Sequence, residues 1–171
     1  MDQTTQDNRG LMVRLAAQGL GFVVIGGVCA IYYGSRVNTF DLDICCELNV
    51  SNLQKIHAAL KDLHPRHRLT ANKLPLEINE ELASRLKNLY LNTDLGKLDC
   101  LSMVAGVGGY KEVLRNSQVS SFSYGEFRFL TIEALIRAKE AVGREKDQMA
   151  VKHLRCIAER KKAEKQRDLN F

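Results

Sequence analysis

The chain has 171 residues, of which 45% are hydrophobic and 26% charged, and it carries a formal net charge of +5. That length allows one sizeable core but not two ordinary domains, so a single domain over residues 1–171 is expected, with a core at about 20–158. No apolar stretch approaches bilayer length and no charged-then-apolar leader opens the chain, which excludes a membrane role and makes the cytoplasm the expected compartment. The five cysteines (29, 45, 46, 100 and 156) show no C-x-x-C spacing and are expected to be reduced, mostly buried thiols.

In chain order, residues 6–18 read as a first helix, with Leu11, Val13, Leu15 and Ala16 apolar and Gly19 as its stop. A branched apolar strand at 22–25 enters the pair Gly26-Gly27, and a helix is expected at 28–33. The segment 39–47 reads as a second strand. Ser51 is placed to cap a helix carrying Leu53, Ile56, Ala59 and Leu60 on one side. The tract 64–82 holds both prolines and shows no clear period. Two strands at about 86–92 and 97–104 flank an Asn-Thr-Asp-Leu-Gly turn, and a short helical piece is expected at 110–116. A strand at 127–130 precedes a helical region, 131–166, with a weak point at Gly143. This order predicts an α/β protein, with a mixed central sheet, helices packed against it and a helical C-terminus.

The chemistry concentrates in Gly26-Gly27 and, after thirteen intervening residues, Asp41-Leu42-Asp43. On a strand, i and i+2 share a face, so Asp41 and Asp43 stand side by side with Leu42 turned away. Adjacent carboxylates repel unless a cation lies between them, and hard oxygen donors suit magnesium. Paired glycines at a strand-to-helix turn let backbone N–H groups approach a phosphate chain closely. Arg36 offers a planar fork for a phosphate, or an ion pair with a nearby acid. Lys139 and Lys146 lie seven residues apart, two helical turns, and project from one face if the helix runs through Gly143. Arg144 lies on another azimuth unless the helix kinks there, and Asp147 is expected to pair with a basic neighbour rather than bind metal. No nucleophile-elbow Gly-x-Ser-x-Gly, phosphate-binding Gly-x-x-x-x-Gly-Lys-Ser/Thr or clustered histidine set is present.

The glycine pair, the spacer with Gly34, Arg36 and Thr39, and Asp41-x-Asp43 resemble the signature of the nucleotidyltransferase superfamily, the polymerase-beta-like fold. The pattern is most similar to the small AbiEii-type and minimal nucleotidyltransferases of prokaryotes. Gly96-Lys97-Leu98-Asp99-Cys100-Leu101 resembles the strand that delivers a third carboxylate. The segment from Leu130 through Asp147 resembles the family's closing helical region. The resemblance implies catalytic and metal-ligating roles for Asp41, Asp43 and Asp99, with Mg2+, or alternatively Mn2+, as cofactor. It implies nucleotide binding by Gly26, Gly27, Arg36, Lys139, Arg144 and Lys146, with ATP or another NTP as substrate.

The implied reaction is transfer of a nucleoside monophosphate to an acceptor hydroxyl, with release of pyrophosphate. The acceptor is an RNA such as tRNA or a protein, and the AbiEii-type likeness adds a toxin role with an antitoxin partner. From Val151 onward, seven basic residues face three acidic ones, a basic helical tail at about 155–171 that suits RNA or a solvated helix face. Two alternatives stand beside this reading: a small-molecule, antibiotic-type nucleotidyltransferase, and a catalytically silent nucleotide-binding module.

Overall fold

The computed structural model describes residues 5–36, 38–78 and 80–168, with the side chains of Leu82, Lys146, Lys165 and Asp168 outside that description. The elements run α1 (Asn8–Ala17), β1 (Val23–Val24), α2 (Gly26–Tyr32), β2 (Leu42–Cys45) and α3 (Val50–Leu60). They continue through β3 (Arg66–His67), α4 (Glu80–Arg85), β4 (Asn88–Thr93), β5 (Gly96–Leu101), β6 (Met103–Val104) and β7 (Gly108–Gly109). The chain closes with α5 (Tyr110–Arg115), β8 (Ser117–Phe122), β9 (Gly125–Leu130), α6 (Ile132–Val142) and α7 (Glu145–Asp168).

Among the described residues, seven strands form one mixed sheet in the order β3-β4-β5-β2-β1-β9-β8, so the α/β expectation holds. β2 lies parallel to β5 and antiparallel to β1, while β1 lies parallel to β9. The alternation in β2 decides which side faces the core: Leu42 and Ile44 are fully buried on one side and Asp43 stands on the other. Leu11 and Leu15 of α1, Leu53, Ile56 and Leu60 of α3, and Leu98 of β5 are also fully buried. Each such side chain contributes roughly 1.5–3 kcal/mol on burial. Four cysteines are buried and Cys156 is exposed, and all five are free thiols.

Several boundaries differ from expectation for local reasons. The α3 cap is Asn49, whose side chain accepts from the Asn52 N–H at 2.9 Å, two residues before the expected Ser51. The strand expected at 39–47 begins at Leu42, because the Thr39 hydroxyl bonds back to the Asp41 carbonyl and forms a turn. β8 had no sequence signal: it is a polar edge strand held by its pairing with β9. The helical region expected over 131–166 is two helices. Gly143 takes the left-handed conformation (φ 67°) that ends α6, and α7 starts two residues later. Among the described residues, no helix is long and apolar enough to cross a membrane.

Candidate active site

The parallel register of β2 on β5 sets Asp43 directly beside Asp99, and Asp41 precedes β2 by one residue. One oxygen from each of Asp41, Asp43 and Asp99 lies within 4.8 Å of the other two. Residues 56 positions apart in the chain thus form one carboxylate cluster. Three hard oxygen donors at this spacing fit a divalent cation such as Mg2+, whereas thiolate-preferring ions find no sulfur in the cluster.

The glycine pair frames this cluster for steric reasons. Gly26 has φ 63°, and a Cβ there would stand 2.0 Å from Asp43 Oδ2. A Cβ on Gly27 would meet the Thr39 hydroxyl at 2.4 Å. Thr39 Oγ1 lies 3.1 Å from Asp41 Oδ1, within hydrogen-bonding distance. The two glycines therefore admit the carboxylates and their supporting hydroxyl against the backbone.

Burial pushes the Asp43 carboxyl up to about 7, with the Asp41 and Asp99 charges adding and the Gly27 N–H and Lys139 opposing. Asp99 is also raised, by burial first, against the lowering effect of Arg68. A carboxyl that titrates near 7 when folded and near 3.8 when unfolded retains a proton that the unfolded chain releases. Its contribution to stability therefore falls as pH rises through that interval. In the presence of chelator, the melting temperature of the wild-type protein should drop relative to Asp43→Asn as pH rises from about 4 to about 7 and level off above that. Calorimetric melts of the two proteins across that range check this, and parallel pH profiles would count against it.

A cavity of about 250 Å³ covers the carboxylates, and Gly26, Gly27, Thr39, Lys139, Arg144 and Asp147 share its walls. Asp147 is 3% exposed and accepts from Lys139 Nζ at 3.2 Å and from Arg144 Nε at 2.7 Å. Burial raises its pKa, but these two cations outweigh that and hold it below the usual carboxylate value. The break at Gly143 brings Arg144 into the cavity beside Lys139. The shared face of Lys139 and Lys146 depended on a helix running through Gly143, and the break there removes that continuity. The Lys146 side chain lies outside the described residues. Arg36 is exposed and is not among the residues lining this cavity.

Sequence reading passed over Arg68. Its backbone N–H donates to the Tyr90 carbonyl at 2.8 Å, and Tyr90 is the register partner of Asp99. The guanidinium carbon stands 5.6 Å from the centroid of the Tyr90 ring, and Nη2 donates to Asp99 Oδ1. Arg68 Nε is buried without a hydrogen-bond partner among the described residues. The ion pair engages one Asp99 oxygen and leaves the other to its neighbours. No local pattern marks Arg68, because only the pairing of β3 with β4 carries it to the site. Hydrogen-bonded partners of metal-binding carboxylates commonly set metal affinity, so Arg68→Gln should weaken Mn2+ binding by about 10- to 100-fold. Titration calorimetry of the variant against wild type reads this, with Arg68→Lys expected to fall between them.

No protein-family model matches the chain, and no curated protein matches it. Among solved structures, the lincosamide antibiotic adenylyltransferase LnuA in its lincomycin-bound form aligns with a TM-score of 0.60 at 13% identity. That alignment covers 90% of this chain and 99% of LnuA. The provisionally assigned nucleotidyltransferase TM1012 of Thermotoga maritima aligns with a TM-score of 0.54 at 14% identity, covering 85% of this chain and 88% of that one. At these identities the likeness is one of fold: the chain has the mixed α/β architecture of nucleotidyltransferases.

Proposed function

We propose that the protein is a metal-dependent nucleotidyltransferase, moving a nucleoside monophosphate from an NTP to an acceptor hydroxyl. The carrying observation is the convergence of Asp41, Asp43 and Asp99 beside Gly26-Gly27 and across one cavity from Lys139 and Arg144. In the balanced step, the acceptor oxygen bonds to the α-phosphorus, the bond from that phosphorus to the bridging oxygen breaks, and pyrophosphate leaves. Asp41, Asp43 and Asp99 would hold a divalent cation, which supplies neutralisation of phosphate charge and acidifies the acceptor hydroxyl. Lys139 and Arg144 bind phosphate oxygens, kept in place by Asp147, and the backbone at Gly26-Gly27 lets the phosphate chain approach. Asp99, oriented by Arg68, receives the acceptor proton. Such a displacement needs positioning and charge balance more than covalent chemistry by the protein.

Two acceptor classes fit this centre. The exposed Lys152, Arg155, Arg160, Lys161 and Lys162 on α7 support an RNA acceptor through phosphate contacts, consistent with a toxin held in check by an antitoxin. The end-to-end alignment with LnuA, an antibiotic adenylyltransferase, supports a small-molecule hydroxyl acceptor. Incubation with Mg2+ and each α-labelled NTP, with bulk tRNA, with a lincosamide or without added acceptor, tests the reading. Label transferred to either acceptor, or to the protein itself, supports it and identifies the class. Absence of both transfer and NTP binding would leave a silent fold.

A further inference from the structure

The two edges of the described sheet are built differently. At one edge, β3 is two residues long and follows Pro65, and its outer side is engaged: the His67 N–H donates to the Leu74 carbonyl at 2.8 Å, and Pro75 bridges to Arg66. At the other, β8 has six residues, as many as β4, β5 and β9, and contains no charge, proline or glycine. It pairs with β9 at all six positions, so no bulge turns the edge aside. Shortness, charge, proline and bulges are the usual protections of an exposed strand edge, and β8 has none of them. The phase of the ladder shows which backbone groups point outward. The Thr131 N–H donates to the Asn116 carbonyl at 2.8 Å, one step beyond the Ser117–Leu130 pair. Antiparallel pairs alternate between bonded and unbonded, so Gln118, Ser120 and Phe122 bond to β9, while Ser117, Val119 and Ser121 direct N–H and C=O away from it. Tyr32 of α2 holds the strand in place: its hydroxyl lies 2.6 Å from Ser120 Oγ and accepts from Gln118 Nε2 at 3.2 Å.

We propose that β8 is a dimerisation strand, pairing antiparallel with β8 of a second copy of this chain about a two-fold axis at Val119. The edge is separated from β2 by β1 and β9, and the pairing is independent of the chemistry at the carboxylates. With Val119 opposite the partner's Val119, Ser117 meets the partner's Ser121, and each outward N–H finds an outward C=O. A two-fold axis normal to the sheet keeps side chains on their own faces, so Val119, 49% exposed, packs against an identical valine. A charged peptide would find no counter-charge on this strand. A second copy brings the same uncharged Ser-Gln-Val-Ser-Ser run, with no like charges directly opposed, although each chain carries a formal net charge of +5. Assembly stops at two, because the joined sheet ends on both sides in the engaged β3 edge.

Sedimentation velocity from about 1 to about 100 μM reads the equilibrium, and wild type should shift from the 19.2 kDa chain to twice that mass. Val119→Lys should weaken dimerisation by about 10-fold or more, since Arg128 stands opposite Val119 on β9 and lysine would complete a basic row across the axis. Val119→Pro removes an outward N–H, a change that an edge strand accommodates, and should also give monomers. Thermal melts show which variants are folded, and Val119→Lys, at a half-exposed position, carries the test if Val119→Pro does not fold. Fluorescently labelled Val119→Lys should dimerise when unlabelled Val119→Glu is added, but not with unlabelled Val119→Lys, because the axis at Val119 sets these two side chains opposite each other. Wild type that stays at 19.2 kDa throughout, a dimer unaffected by Val119→Lys, or failure of Val119→Glu to restore pairing would overturn the proposal.

Discussion

Replacing Asp43 with alanine is expected to lower nucleotidyl transfer by at least about 1,000-fold while leaving a folded protein, since charge stabilisation by a bound cation is worth several kcal/mol. Asp43 sits between the other two members of the cluster in the cross-sheet register, flanked by Asp99 on β5 and Asp41 on its own chain segment. It also lines the cavity that Lys139 and Arg144 share, so its loss separates the carboxylates from the phosphate-binding side. The fold should tolerate the change. Asp43 faces away from the core-facing Leu42 and Ile44, and burial with two acidic neighbours raises its carboxyl to about 7. Removing it relieves repulsion instead of breaking a stabilising pair. Transfer rates at saturating NTP, together with a melting curve, check both halves. A variant retaining a tenth or more of wild-type activity would place the metal site elsewhere.

Gly26→Ala should be nearly as severe for a different reason. The substitution places a Cβ 2.0 Å from Asp43 Oδ2, in a residue held at φ 63°. The left-handed backbone costs a non-glycine residue roughly 1–2 kcal/mol. The clash then forces either Asp43 or the β1–α2 turn to move, and a displacement of about 1 Å at a reacting centre costs on the order of 100-fold in rate. Gly19→Ala is the matched control, because Gly19 has φ 68° but, among the described residues, no heavy atom within 4 Å of its Cβ position. Both variants should bear the left-handed backbone cost, Gly26→Ala should lose further stability from the clash, and only Gly26→Ala should lose transfer. Equal retention of transfer by the two would show that the close approach at Gly26 has no catalytic consequence.

Local sequence carried much of the site because its chemistry is local on each side. Gly26-Gly27 and Asp41-x-Asp43 are short patterns whose steric and electrostatic demands can be read without tertiary information. Gly143 was legible as a weak point, but not as the break that turns Arg144 into the cavity. An isolated glycine can sit inside a helix or cap it, and the φ of 67° decides between these. Arg36 looked as well placed as Arg144 in sequence, yet it is exposed and is not among the residues lining the carboxylate cavity. Arg68 lay in a tract without period, where two-residue β3 gains its place only from its partner strand.

The sequence by itself determined the strand–glycine–helix entry to the site, the side of β2 that faces the core and the carboxylate pair on the other side. These follow from alternation, glycine sterics and repulsion between neighbouring charges, all acting over a few residues. The tertiary structure alone decided that Asp99 would join that pair, that Arg68 would hold Asp99, and that β8 would stand at the edge of the sheet. Each depends on sheet order and register. Those arrangements arise from contacts between distant segments, for which no short stretch of the chain carries a signal.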